Sequence, residues 1–183
     1  MPTWGWIVIG IAAAAVLAAA AWGVMRATRT RRLKSTFGPE YDRTIADAPT
    51  RGEAEEVLEE RRRRHEEFDI RPLTPAAKDR YLQSWRDAQA RFVDDPGSAI
   101  EEADRLIQRV MAERGYPVDD FEERAGDLSV DYPDIVDNYR EAHEVAEAHA
   151  RGHADTEDLR RAMTRYRSLF ERLLETEEEP ARS

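Results

Sequence analysis

Residues 4–25 run without a single charged side chain: Trp-Gly-Trp-Ile-Val-Ile-Gly-Ile, an alanine-rich middle, then Trp-Gly-Val-Met. No other feature constrains this chain as strongly. A helix needs about 20 apolar residues, at about 1.5 Å each, to cross the hydrocarbon of a bilayer. Trp4 and Trp6 stand at one end of the run and Trp22 at the other. Indole rings favour the membrane–water interface, so these positions read as two aromatic belts. Five basic residues follow at once, Arg26, Arg29, Arg31, Arg32 and Lys34, with no acid among residues 26–34. Loops rich in Lys and Arg stay in the cytoplasm. The expected topology is therefore a single-pass protein of the cell membrane, with a short N-terminus outside and the remaining chain in the cytoplasm.

Two other readings of the run compete with a plain anchor. A cleaved signal peptide would use Ala19-Ala20-Ala21 as its small-residue site, but it wants positive charge before the apolar stretch, and here the cations follow it. Gly10, Ala14 and Ala18 are four apart, as are Ala15, Ala19 and Gly23. Small residues at that spacing let two membrane helices approach and pair, though alanine-rich segments also meet the pattern by chance. The basic residues themselves suit anionic lipid headgroups, at about 1 kcal/mol each near the surface.

Beyond residue 34 the chain changes character. Charged residues make up 36% of the whole, and the net charge is −10, so the chain outside the basic segment carries −15 once those five cations are set aside. So acidic a body lacks the basic footprint that phosphate backbones require, which excludes nucleic acid as a partner. There is no cysteine, and with it go disulfides, thiolate nucleophiles and cysteine-held metals.

Helix signals dominate this part, and the fold class predicted is all-α: one transmembrane helix, then a bundle of about four main helices plus short ones. Thr50 with Glu53 makes a capping box for a charged helix over 51–68. Thr74-Pro75 and Asp95-Pro96 each place a capping side chain before a proline at the first helical position. Gly115 stops the second of these helices. A short helix is expected over 119–127, a longer one from Asp131 to Ala150, and a last one capped by Asp155 and running to Glu175. Apolar residues recur at helical spacing in the four main segments: Ala77, Tyr81, Trp85, Ala88, Phe92; Ala103, Leu106, Ile107, Val110, Met111; Ile135, Val136, Tyr139, Ala142, Ala146; and Leu159, Met163, Tyr166, Phe170, Leu173. The domain plan is an anchor over 1–28, a basic juxtamembrane segment with charged stalk helices over 29–73, a bundle over 74–175, and an acidic disordered tail over 176–183.

No motif specifies a reaction. The run Arg61 to Arg64 offers a phosphate or lipid site, but acids four residues away on both sides read it as a solvated, self-paired helix face. His143, His149 and His153 invite a metal, yet no Glu-x-x-His or His-Glu-x-x-His pattern accompanies them, and His143 falls on the apolar face of its helix. There is no Gly-x-Ser-x-Gly and no Gly-rich phosphate loop. No catalytic residue, metal ligand or cofactor is therefore expected. The proline-containing connectors carry aromatic and apolar residues (Phe37, Tyr41, Ile70, Leu73, Phe92, Tyr116, Phe121), which either pack on the bundle ends or wall a groove for a partner peptide.

The segments RRLKSTFGPEYDRTI, ERRRRHEEFDIRPLTPAAKDRYLQSWRDAQARFVDDP, VMAERGYPVDDFEERAGDLSVDYPDIVDNYREAH and TEDLRRAMTRYRSLFERLL resemble a family of uncharacterised membrane-anchored helical proteins of actinomycete-type bacteria. The resemblance covers most of residues 31–174. It implies a membrane or secreted protein and carries over no activity, cofactor or site residue. The functional expectation is a non-enzymatic scaffold or interaction module at the cytoplasmic membrane face. Its partners would be membrane lipid, another protein, or a second copy through the membrane helix. A peptide-binding regulator, or an enzyme using a carboxylate or His143, stands as the alternative.

Overall fold

The computed structural model describes the backbone from residue 3 to 175 and the side chains from 12 to 175. The acidic tail expected over 176–183 lies outside the described residues. The described chain is all-helical, with seven helices: α1 (Thr3–Asp47), α2 (Arg51–His65), α3 (Pro75–Arg91), α4 (Pro96–Arg114), α5 (Phe121–Asp131), α6 (Val136–Ala150) and α7 (Thr156–Leu174). It forms two compact units, Met1–Leu58 and Glu59–Ser183, so the division falls inside α2.

In the first unit α1 is interrupted at Gly38, whose φ of 46° and ψ of −123° lie where a side chain is not tolerated. Pro39 follows, with no N–H to continue the helical ladder. Leu33 and Phe37 before the break, and Tyr41 after it, are buried together with Ala54 and Leu58 of α2. The N-terminal part of α1 is different. Every described side chain from Ala12 to Arg29 is exposed. Among the described residues no helix is long and apolar enough to cross a membrane. Of the apolar run, only residues 12–25 have described side chains.

The second unit is built on α4 and α7. Helix α7 packs on α4 and α6, α3 covers α4, and α5 lies on α6. The apolar stripes read from the sequence are the ones that meet: Ala103, Leu106, Ile107, Val110 and Met111 of α4 and Leu159, Met163, Tyr166, Phe170 and Leu173 of α7 are buried in one core. Trp85 of α3 stacks on Phe170 at 4.6 Å. Each such side chain contributes roughly 1.5–3 kcal/mol by leaving water. The caps are where local chemistry requires them. Thr74 accepts from the Ala77 N–H, Asp95 from Ser98, and Asp155 forms a reciprocal box with Asp158.

Two boundaries differ from the expected ones. Helix α2 ends at His65 rather than residue 68, and the helix expected to open at Asp131 opens at Val136, because Asp131 ends the preceding short helix. Helix α5 begins at Phe121, capped by Asp120, and continues through Asp131; Pro133 then separates it from α6. No stop signal stands at residue 127, and the proline six positions later is what ends the helix.

Gly115 closes α4 in the left-handed conformation, φ 99°. A Cβ there would lie 2.3 Å from the Asp69 carbonyl oxygen, because the connector before α3 runs across the end of α4 and Arg71 donates its N–H to the Arg114 carbonyl at 2.7 Å. Gly115→Ala meets both conflicts at once. It is expected to destabilise this unit by about 2–4 kcal/mol, read as a lowered urea midpoint of the full chain in detergent micelles. An unchanged midpoint would show that neither the φ angle nor the close approach is needed.

Candidate functional site

The basic segment begins one residue after the apolar run and stays on α1. Trp22 is 64% and Met25 71% exposed. The Arg26 guanidinium lies 5.5 Å from the centre of the Trp22 ring, and Lys34 lies 5.1 Å from that of Tyr41. Among the described residues no carboxylate pairs with Arg26, Arg29, Arg31, Arg32 or Lys34, whereas most other arginines of the chain have one. The side chains of Trp4 and Trp6 lie outside the described residues.

Helix α2 is held to this segment by one carboxylate. Glu55 is only 4% exposed. Its Oε1 accepts from Thr30 Oγ1 at 2.7 Å, Tyr41 OH at 2.9 Å and Arg51 Nε at 3.1 Å. Burial pushes the Glu55 carboxyl up, but these three donors outweigh it and hold the group below the usual carboxylate range. Arg29 adds a bond from Nη2 to the Glu55 carbonyl oxygen at 3.3 Å. Beside this junction Trp22, Met25, Arg26 and Arg29 of α1 face Gly52 and Glu55 of α2 across an open cleft of about 410 Å³.

In the second unit the run Arg61 to Arg64 is not the wholly solvated face its neighbours imply. Arg62 keeps to its own helix, donating to Glu59 at 2.6 Å and to Glu66, and Arg63 pairs with Glu60 at 2.6 Å. Arg64 instead reaches Asp119, just before α5, at 3.0 Å, and Glu123 and Asp127 of α5 at 3.1 Å and 3.5 Å. His65 Nε2 bonds Asp131 Oδ2 at 2.7 Å, and Tyr116 OH donates to the same oxygen. Arg61 lies over Gly126, where a Cβ would come within 3.3 Å of its Nε. Asp119, just before α5, and Glu123, Asp127 and Asp131 on it recur every four residues, and together they meet Arg64 and His65 at the end of α2. That periodicity was readable in the sequence and is the signal missed there.

The histidines do not converge. His143 stacks on Phe121 at 3.7 Å, with Nδ1 buried and unpartnered. His149 rests against the first turn of α4, where a Cβ on Gly97 would lie 2.5 Å from its Nε2. His153 is exposed. Among the described residues no three potential ligands gather in a metal-binding arrangement. Beside His143, Arg124 donates from Nε to Tyr139 OH at 3.2 Å and from Nη1 to the Asp119 carbonyl at 2.6 Å. The phenols of Tyr139 and Tyr166 are pushed well up, first by burial and then by the nearby charge of Asp104. These polar groups are spent on positions within the core. Of the connector residues expected to pack or to wall a groove, Leu73 and Tyr116 are buried and Ile70, Phe92 and Phe121 pack against the core, while Val93 and Val118 of the same connectors are exposed.

Comparison with protein-family models, with curated proteins and with solved structures finds no match.

The cluster on α5 makes stability depend on pH. Burial raises the Asp127 carboxyl to about 6, with Arg64 opposing. A raised carboxyl contributes stability that is complete below its unfolded value, near 4, and is lost as pH rises through about 6. The His65 imidazole is raised by its bond to Asp131, so its contribution is present below about 6.5 and is lost as pH climbs through the higher folded value. At Asp131 the bonds from His65 and Tyr116 overcome burial and lower the carboxyl, and that contribution disappears only in acid. Asp127→Asn is therefore expected to gain on the parent by on the order of 1–3 kcal/mol between about pH 4.5 and pH 7.5. His65→Gln should flatten the further fall in melting temperature above about pH 6.5. Parallel melting curves for parent and Asp127→Asn across that range would refute the assignment.

Proposed function

We propose that this chain is a single-pass membrane protein, anchored by residues 4–25. Its helical units stand at the cytoplasmic face as a non-enzymatic scaffold or interaction module. One observation carries the reading: α1 is continuous through the apolar run, and its described apolar side chains up to Met25 are exposed. In water a row of bare valine, leucine, tryptophan and methionine on a lone helix is a liability; in hydrocarbon it is matched to its surroundings, and the helix satisfies its own backbone. The length of the run, roughly 33 Å at 1.5 Å per residue, suits a bilayer core. The unneutralised cations that follow supply the orientation.

The scaffold reading draws on what the perturbed groups are engaged in. Asp131, His65 and Tyr116 bond one another, Arg64 bonds Asp119 and Glu123, and Arg124 bonds Tyr139 and the Asp119 carbonyl. Such groups are engaged in holding helices in place.

A reporter that is active only in the cytoplasm, fused after Ser183, is expected to be active in intact cells. An export-dependent reporter at the same position should be silent. The reverse pattern would overturn the orientation, and a fusion recovered entirely in the soluble fraction would overturn the anchor.

A further inference from the structure

We propose that the cleft between Trp22, Met25, Arg26 and Arg29 of α1 and Gly52 and Glu55 of α2 is a binding site for the headgroup of one anionic phospholipid, with its phosphate held by Arg26 and Arg29. The proposal rests on the membrane reading above and adds a discrete site to it.

The first ground is charge. In a chain of net charge −10 most arginines are matched by an acid, yet Arg26 and Arg29 have no carboxylate partner among the described residues. Two guanidiniums one helical turn apart, left open at one cleft, form an anion site by their donor geometry. The second ground is placement. Arg29 is fastened by its bond to the Glu55 carbonyl at 3.3 Å, and Arg26 is steered by the Trp22 ring at 5.5 Å, so neither cation is a free surface arm. The one acid lining the cleft does not cancel them. Glu55 turns Oε1 to Thr30, Tyr41 and Arg51, and Arg51 offsets its charge. The third ground is the cleft itself. Its volume of about 410 Å³ falls in the range of roughly 300–1,000 Å³ common to ligand pockets. Part of its lining is apolar, Trp22 and Met25, and both side chains are exposed at the end of the apolar run. A free phosphate ion has no use for such a wall. A phospholipid does, because its acyl chains run along the apolar helix while its phosphate meets the first two arginines.

The full chain is reconstituted in nanodiscs of phosphatidylcholine containing a minority of phosphatidylglycerol, then extracted in mild detergent, and the retained phosphatidylglycerol is counted by mass spectrometry. Arg26→Gln/Arg29→Gln removes two charges inside the cleft. Arg31→Gln/Arg32→Gln removes two outside it. Gly52→Leu changes no charge; a Cβ there meets only Thr50 Oγ1 at 3.9 Å, so the larger side chain enters the cleft without strain. Circular dichroism checks that each variant keeps its helix content.

The parent and Arg31→Gln/Arg32→Gln are expected to retain one phosphatidylglycerol per chain. The cleft pair and Gly52→Leu should lose it by about tenfold or more, the scale of removing two contacts near an anionic surface. Equal losses from the two arginine pairs would mean diffuse attraction, and retention by Gly52→Leu would place the lipid elsewhere; either result overturns the site. Displacement by millimolar inorganic phosphate would reassign it to a simple anion. A parent chain that fails to enter the nanodiscs sinks the membrane reading itself, a result distinct from the others.

Discussion

A single buried carboxylate oxygen orders the first unit. Glu55 Oε1 accepts from Thr30 on the long part of α1, from Tyr41 beyond the Gly38 break, and from Arg51 on its own helix. Without the break Tyr41 would continue along the axis of α1 and could not return to the same oxygen as Thr30. The glycine's conformation, open only to a residue without Cβ, is therefore the geometric condition for the electrostatic one. The stakes of such a network are asymmetric. Satisfied, it fixes two helices in one register; missing any donor, it leaves a buried charge whose desolvation exceeds what the remaining bonds return.

The second unit solves a different problem. Its core is ordinary, but its surface carries more charge than a helical domain needs for solubility, and the excess is organised. Arg64 and His65 at the end of α2 meet Asp119, just before α5, and Glu123, Asp127 and Asp131 on it, while α5 turns Ala125 and Leu128 to the core. Asp127 lies deep in this array, 3% exposed with one oxygen unpartnered, so Arg64 compensates its burial only in part. The array thus trades some stability near neutrality for a specific match between α2 and α5. Ion pairs set register more reliably than they add free energy.

What was legible in the sequence was what depends on neighbours within four residues. The caps at Thr74, Asp95 and Asp155 follow from a side chain bonding its own backbone, and the stripes of α3, α4 and α7 follow from the helical repeat. What was missed depends on partners far along the chain. Arg64 has an acid four residues before it, so a local accounting pairs them; its actual partners lie 55 and more residues away. The extent of α5 was misjudged for a related reason. Asp131 resembles a residue that opens a helix, but its carboxylate is engaged by His65 and Tyr116 and it closes one instead. Glu55 gave no sign at all, since an acid four residues after an arginine is the commonest exposed pair on a helix.

The same local accounting isolates the one segment where it cannot be applied. Between residues 26 and 34 there is no acid, and Glu55, which lines the cleft beside Arg26 and Arg29, is already engaged by three donors. A chain that supplies carboxylates so freely elsewhere leaves these guanidiniums open beside an apolar helix. Solubility does not require cations there, because the acidic body already gives the molecule a large net charge. Nor does the helical backbone require them: α1 continues past them to Gly38. Under the membrane reading we propose, the partner is an anionic surface lying alongside hydrocarbon, and a phospholipid leaflet has both properties.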